Sequence, residues 1–119
     1  MKTLLIVDDE MKICNMLSQF FESRGMKTRT ACSGTEALDK LSEEPPDFLL
    51  LDVRMPDMSG LEVLQRAKQQ YPNVNVIMLT ALDDPDVASS AMALGASDFL
   101  TKPFRWSDQE LARIFFAPA

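Results

Sequence analysis

The chain is 119 residues long, 46% of its residues are hydrophobic, 25% are charged, and its formal net charge at pH 7 is −6. A chain of this length is expected to fold as one domain, residues 1–119, whose core needs no disulfide or metal to support it. The acidic balance argues against direct binding of this domain to nucleic acid or anionic membranes, because phosphate groups attract a surplus of Lys and Arg.

The first predicted elements are a strand, a helix and a second strand. The first strand is predicted at residues 3–7, because residues 4–7 form a continuous apolar run that is typical of a strand buried on both faces of a parallel sheet. A helix is predicted near residues 10–24, because apolar residues recur at helical spacing and Gly25 can end it. Residues 26–31 alternate weakly and indicate an exposed edge strand. The apolar stripe of the helix consists of Ile13, Met16, Leu17, Phe20 and Phe21.

The middle of the chain repeats this alternation. Ser33 and Glu36 have the spacing of a capping box and open a second helix, and a third strand is predicted at residues 48–51. A turn is predicted at residues 57–60, and Ser59 and Glu62 form a second such pattern ahead of a third helix. The core side of that helix is predicted to carry Leu61, Leu64, Ala67 and Tyr71.

The last part of the chain continues the alternation of strand and helix. The fourth and fifth strands are predicted at residues 74–79 and 96–100, with a helix between them that Asp84 and Pro85 open. Ser107 and Glu110 cap a final short helix. Its aromatic residues either form an exposed patch that marks an interface or pack on the sheet. They are Trp106, Phe115 and Phe116.

Five alternations of strand and helix predict an α/β fold with a doubly wound, five-stranded parallel sheet and helices on both faces. Five strands are too few for an eight-fold barrel. The edge-like second strand favours the order 2-1-3-4-5, with the switch point between the first and third strands.

Hydropathy and the cysteine pattern predict the location of the protein and the redox state of its cysteines. No apolar run approaches about 18 residues, so we expect no membrane span. No signal peptide is visible, and the cytoplasm is therefore the expected location. Cys14 and Cys32 lack metal-ligand spacing and the chain has no histidine, so both cysteines are expected to be reduced.

Aspartates follow two of the predicted strands. Asp8 and Asp9 come directly after the first strand, and Asp52 comes directly after the third. The carboxyl ends of parallel strands form the ligand crevice of an open sheet, so these carboxylates are expected to meet there. Such a cluster repels itself unless a hard cation binds, and Mg²⁺ (or Mn²⁺) is the expected ion.

Two further strand ends carry polar groups that suit phosphoryl transfer. Thr80 ends the fourth strand and Lys102 follows the fifth. A carboxylate beside a metal ion can attack phosphorus, while the metal and a lysine stabilise the phosphoryl oxygens. Taken one at a time, these residues have simpler interpretations as a helix cap, a turn residue, a backbone-bonded hydroxyl and a solvated charge. Their joint placement at one edge of the sheet favours a shared site.

Over nearly its whole length the chain resembles the receiver domain of two-component response regulators, whose fold is flavodoxin-like. The matching segments are residues 6–10, 51–60, 79–81 and 99–103. The resemblance implies a switch activated by phosphorylation, with Asp52 as the phosphoacceptor. It implies that Asp9 binds Mg²⁺ directly and Asp8 mainly through water, with the Asp52 carboxylate and the Arg54 backbone carbonyl as further ligands.

The resemblance also implies the parts that sense the phosphoryl group. Thr80 and Ala81 would bind it and shift, Lys102 would pair with it, and Phe99 would rotate as the switch aromatic. The Lys102–Pro103 peptide is expected to be cis, at a small cost before proline. Arg54 and Leu82 flank the site at positions that influence how long the phosphoryl group lasts in this family.

The implied partners are a sensor histidine kinase or a phosphotransfer protein, and an output domain or target protein. A homodimer formed on phosphorylation is a further expectation, and the chain could be one domain of a longer regulator. The domain is not expected to be an enzyme beyond catalysing its own phosphorylation and dephosphorylation.

Three other functions agree less well with the residues of the predicted site. An Mg²⁺-dependent aspartyl phosphohydrolase needs an aspartate two residues after the nucleophile, where this chain has Arg54. A flavodoxin-like cofactor binder needs a phosphate loop after the first strand, and the acidic residues 8–10 would repel a phosphate there. A receiver-like interaction module that takes no phosphate typically lacks a site residue, and all five are present here.

Overall fold

The computed structural model describes residues 2–81, 85–102 and 106–115, in which strands and helices alternate along the chain. The strands are β1 (Thr3–Val7), β2 (Lys27–Ala31), β3 (Phe48–Asp52), β4 (Asn75–Ala81) and β5 (Asp98–Lys102). The helices are α1 (Met11–Glu22), α2 (Gly34–Glu43), α3 (Gly60–Gln70), α4 (Pro85–Ala93) and α5 (Asp108–Phe115). In this part of the chain no helix combines the length and apolar character needed to cross a bilayer.

The sheet has the predicted order, β2-β1-β3-β4-β5, and every pairing is parallel. β2 lies at an edge, as its weak alternation predicted. The switch point falls between β1 and β3, which are hydrogen-bonded neighbours. The acidic ends of these two strands therefore lie side by side at the same edge of the sheet.

Each face of the sheet has its own apolar layer, which is why β3 is buried along its whole length. α2, α3 and α4 pack on one face and α1 and α5 on the other.

The aromatic residues near α5 pack on the α1 side of the sheet. The ring of Phe115 lies 5.0 Å from that of Phe21 and 5.2 Å from that of Phe48, so the end of α5 is fixed in the core. The indole nitrogen of Trp106 donates to the Thr101 carbonyl at 3.0 Å. Of the two alternatives, packing on the sheet is therefore confirmed for Trp106 and Phe115. Phe116 lies outside the described residues.

The stripe predicted for α1 is partly wrong. Met16 is 46% exposed, whereas Cys14 is fully buried with Leu17 and Phe21. Cys14 lies three and seven residues before these two, so it shares their face of the helix. Gly25 follows the helix with φ +88°, in the left-handed region that favours glycine.

Two capping patterns form differently from the prediction. Ser33 accepts a hydrogen bond from the Glu36 backbone N–H at 3.1 Å, but the Glu36 carboxylate accepts from Cys32 rather than from Ser33. Ser59 accepts from the N–H of Leu61 at 3.2 Å, so the predicted capping box with Glu62 does not form.

Three strands extend further along the chain than predicted. β3 includes Asp52, β4 continues to Ala81, and β5 covers 98–102 rather than 96–100. Backbone pairing explains this, because Thr80 pairs with Thr101 and Ala81 with Lys102. Asp52, Thr80 and Lys102 therefore lie on regular strands, which position residues more firmly than loops do.

Candidate functional site

The acidic cluster lies where β1 ends. Asp8 is fully buried, and its Oδ1 accepts from the Glu10 backbone N–H at 3.0 Å. Asp9 and Glu10 are exposed, and carboxylate oxygens of all three residues lie within 4.8 Å of one another. Glu10, not either aspartate, is the N-cap of α1 and makes no side-chain cap bond. The structure thus adds Glu10 to the predicted pair, a residue that the run of three consecutive acids could have suggested.

Asp52 is the last residue of β3, on the strand next to the acidic cluster. It is only 7% exposed, and its Oδ1 accepts a long hydrogen bond of 3.4 Å from the Arg54 N–H. A carboxylate so deeply placed is costly unless paired, hydrogen-bonded or bound to a cation. Its position suits a reactive group better than a turn residue.

A groove of about 530 Å³ connects the cluster to the loop that follows Asp52. The groove is open to solvent, so a small phosphodonor can enter it. Its lining consists of Asp9, Val53, Arg54, Met55, Pro56 and Ser59. An acid from the end of β1 and the backbone after the end of β3 therefore share one concave surface.

The remaining predicted residues lie on β4 and β5. Thr80 is 3% exposed, and Phe99 is 37% exposed on the outer side of β5. The backbone of Ala81 pairs with that of Lys102, which places Lys102 two strands from Asp52 at the same end of the sheet. The side chains of Ala81 and Lys102, together with Leu82 and Pro103, lie outside the described part of the structure. The phosphate-pairing lysine, the cis peptide and the effect of Leu82 on lifetime stay predictions.

Gly60 closes the loop after Asp52 against the strand itself. Its N–H donates to the Val53 carbonyl at 2.8 Å. A Cβ at this position would lie 2.8 Å from the Val53 Cα and 2.9 Å from the Asp52 carbonyl carbon, and it would overlap the Asp52 carbonyl oxygen. Only glycine allows this close approach of backbone to backbone. The sequence predicts a turn at Gly60 but carries no signal for its contact with Asp52.

Asp57, in the same loop, binds the start of α2. Its carboxylate accepts from the N–H groups of Gly34 at 3.0 Å and Thr35 at 2.9 Å, and from the Thr35 hydroxyl at 2.8 Å. These hydrogen bonds, the one from the Thr35 N–H foremost, lower the pKa of Asp57 from 3.8 to about 2. The sequence predicts only a turn at Asp57, and its bonds to α2 are a finding of the structure.

The lowered pKa of Asp57 predicts a pH-dependent stability difference. The ionised carboxylate stabilises the fold, so its contribution is complete above the unfolded pKa of 3.8 and is lost as pH falls through about 2. Asp57→Asn should be less stable than wild type at pH 5 and above, and the gap should narrow toward pH 2. Urea unfolding at several pH values measures it, and a gap that did not change with pH would contradict the assignment.

Cys14 packs directly behind the acidic cluster. Its thiol donates to the Asp8 carbonyl at 3.3 Å and to the Ala31 carbonyl at 3.6 Å. Burial, with a smaller contribution from the neighbouring Cys32, raises the pKa of Cys14 to about 12, although the hydrogen bond to the Asp8 carbonyl opposes this rise. Both cysteines are free, as expected, and Cys14 is a neutral hydrogen-bond donor that holds the end of β1.

Comparison with known proteins decides the family. The model of the response regulator receiver domain matches residues 4–114. The chain belongs to this family. The receiver domain is a phosphorylation-activated switch of two-component signalling, so the predicted family, fold and class of function are confirmed.

Three relatives show how far the similarity extends. The DNA-binding transcriptional regulator NtrC of Klebsiella pneumoniae is 46% identical over 83% of this chain and 21% of its own length. Sporulation initiation phosphotransferase F of Bacillus subtilis is 40% identical over 85% of this chain and 82% of its own. The crystal structure of a response regulator receiver domain protein from Clostridium thermocellum has a TM-score of 0.87 and 34% identity, over 96% of this chain and 90% of that one. The receiver domain thus spans about a fifth of NtrC but most of the other two proteins.

Receiver domains generally bind Mg²⁺ at an acidic pocket, and the residues of this receiver domain fit such an ion. The three clustered side chains offer carboxylate oxygens, the ligands that Mg²⁺ prefers. Asp9 and Glu10 are exposed and leave room for the water ligands that Mg²⁺ usually keeps. Receiver domains also interact with histidine kinases and output domains.

Proposed function

We propose that this receiver domain takes a phosphoryl group onto Asp52 from the phosphohistidine of a sensor histidine kinase or a phosphotransfer protein. The observation that carries the proposal is the nearly buried Asp52 at the end of β3, one strand from the acidic cluster and next to the groove that Asp9 lines. Mg²⁺ (or Mn²⁺) would be held by Asp8, Asp9, Asp52 and the Arg54 carbonyl. When bound, the ion neutralises charge on the phosphoryl oxygens.

The chemical step uses the residues of the chain as follows. An oxygen of the Asp52 carboxylate attacks phosphorus in line with the leaving group. The P–O bond forms as the P–N bond to the donor imidazole breaks, and the electron pair returns to the imidazole nitrogen. The product is an acyl phosphate on Asp52. Lys102 pairs with its oxygens, and the Thr80 hydroxyl and the Ala81 backbone hydrogen-bond to them.

The switch transmits this local change to a distant surface. When Thr80 moves toward the phosphoryl group, space opens beneath α4, and Phe99 rotates inward from its exposed position. The surface of α4, β5 and α5 is thereby remodelled for an output domain, a target protein or a second copy of the domain. Phosphorylation shifts an existing equilibrium between inactive and active conformations, because the phosphoryl group makes more favourable contacts in the active one. The domain catalyses its own phosphorylation and dephosphorylation, and its proposed location is the cytoplasm.

Arg54 is proposed to lengthen the life of the phosphoryl group. Its side chain is exposed beside the groove, where it can obstruct the water that attacks the acyl phosphate. Arg54→Asn is expected to speed dephosphorylation by about three- to tenfold, a change of up to about 1.4 kcal/mol in the barrier. The decay of the phosphorylated mass after donor removal measures this rate. Arg66→Asn is the control, because Arg66 is an exposed residue of α3 outside the groove, and an unchanged rate in Arg54→Asn would refute the role.

Intact-mass analysis with a small phosphodonor tests the proposed function. With Mg²⁺ present, the protein should gain one phosphoryl group, and hydroxylamine should remove it as it does other acyl phosphates. Omitting Mg²⁺ should prevent the gain. Absence of both an adduct and Mg²⁺ binding would favour an interaction module that takes no phosphate, while turnover of the donor without any adduct would favour a phosphohydrolase.

A further inference from the structure

The loop between Asp52 and α3 forms one wall of the groove and is also attached to a neighbouring helix. Val53, Arg54, Met55, Pro56 and Ser59 from this loop line the groove. Asp57 of the same loop turns away from the groove and accepts three hydrogen bonds from Gly34 and Thr35. These two residues are the first of α2, where backbone N–H groups lack partners within the helix. A carboxylate from a distant loop thus supplies part of the cap of α2.

The contact is closely packed as well as hydrogen-bonded. Gly34 is buried, and a Cβ there would lie 2.5 Å from the Met58 Cγ and 3.1 Å from the Val63 Cγ2. Met58, the residue after Asp57, therefore lies directly on the first turn of α2. The loop cannot slide along the helix without losing both the hydrogen bonds of Asp57 and this packing.

The loop is fixed at its two ends by backbone hydrogen bonds. The Val53 N–H donates to the Leu79 carbonyl at 3.4 Å, and the Gly60 N–H donates to the Val53 carbonyl at 2.8 Å. Arg54 lies between the attachment of Val53 to β4 and the attachment of Asp57 to α2. The direction of the Arg54 carbonyl is therefore set by attachments on both sides of it.

We propose that Asp57 is a positioning residue of the metal site. By binding the first N–H groups of α2, it holds the loop so that the Arg54 carbonyl faces the cation beside Asp9. This inference rests on the proposed function, in which that carbonyl is a metal ligand. Groups that orient metal ligands from behind affect metal affinity by about 10- to 100-fold.

Mg²⁺ titration by calorimetry of three variants tests the role. Asp57→Ala removes the attachment and is expected to raise the Mg²⁺ Kd about tenfold or more. Asp57→Asn keeps an acceptor oxygen and should restore most of the affinity. Ser33→Ala is the matched control, because it removes the other cap of α2, the bond from the Glu36 N–H, without touching the loop. Its Kd should stay within about twofold of wild type although it also destabilises α2.

The phosphorylation rate provides a second readout. At saturating Mg²⁺, Asp57→Ala should react at nearly the wild-type rate, since Asp57 contacts neither phosphorus nor the nucleophile.

Equal rises in Kd for Asp57→Ala and Ser33→Ala would overturn the proposal, because loss of helix stability alone would then explain both. An unchanged Kd in Asp57→Ala would also overturn it. If Asp57→Ala does not fold, Asp57→Asn provides the test in its place. Its Mg²⁺ Kd is expected to rise by less than that of Asp57→Ala, and an unchanged Kd would contradict the role. Wild-type protein that binds no Mg²⁺ would instead refute the proposed function itself.

Discussion

Asp52→Asn should lose phosphorylation by at least about 10³-fold in rate, which corresponds to about 4 kcal/mol in the barrier. The amide is nearly isosteric and its oxygen can still accept from the Arg54 N–H, so the fold is expected to survive. An amide oxygen is, however, a poor nucleophile, and the substitution also removes one negative charge from the metal site. The rate of adduct formation with a small phosphodonor and Mg²⁺, followed by intact mass, measures the loss.

Asp47→Asn is the matched control for this prediction. Asp47 precedes the opposite end of the same strand, β3, where its carboxylate accepts from the Thr3 N–H at 2.9 Å and the Thr3 hydroxyl at 3.2 Å. It is an exposed aspartate far from the acidic cluster in the sheet, so its loss should leave the phosphorylation rate unchanged. Wild-type rates in Asp52→Asn, or an equal fall in both variants, would contradict the assignment of Asp52.

Gly60→Ala is expected to destabilise the fold by about 3 kcal/mol or more, at or above the upper end of the usual range for added bulk. The new methyl group would meet the backbone of Asp52 and Val53, and backbone cannot rotate away as a flexible side chain can. Relief requires the loop to separate from β3, which breaks the hydrogen bond from Gly60 to Val53. Urea unfolding at pH 7, with the midpoint compared at constant slope, measures the change.

Gly25→Ala separates this steric effect from the ordinary cost of replacing a glycine. Gly25 has φ +88° and nothing within 4 Å of an added Cβ, so alanine meets only the backbone penalty of the left-handed region, about 1 kcal/mol. Gly60→Ala should therefore be clearly less stable than Gly25→Ala. The folded variant should also be phosphorylated more slowly, because the carbonyl of Asp52, the proposed phosphoacceptor, is displaced. Equal stabilities of the two variants would contradict the close contact.

The fold and the placement of the candidate acids were predictable because their signals are local. Continuous apolar runs marked the central strands, and the weak alternation of residues 26–31 marked the edge strand. Asp8 and Asp52 could be located since each directly follows such a run and parallel strands bring their carboxyl ends together. The role of Phe99 depended on the family resemblance, because an aromatic residue in a strand is usually explained by core packing.

The features that escaped prediction depend on contacts between distant parts of the chain. Asp57 caps a helix that begins 23 residues earlier, and no local spacing indicates such a partner. The close approach of Gly60 to Asp52 requires the loop geometry to be known. The true ends of β4 and β5 follow from pairing between the two strands, whereas apolar runs alone suggested earlier ends. The burial of Cys14 in place of Met16 reflects the rotation of α1 about its axis, which packing on the sheet decides.

Chemical mapping of the phosphorylated residue tests the central claim most directly. Borohydride reduces an acyl phosphate to an alcohol, so a phosphorylated aspartate becomes homoserine and can be located by peptide mass. After treatment with phosphodonor and Mg²⁺, we predict homoserine at position 52 alone, and none when Mg²⁺ is omitted. Homoserine at Asp8, Asp9 or another carboxylate, or its absence from the whole chain, would contradict the account.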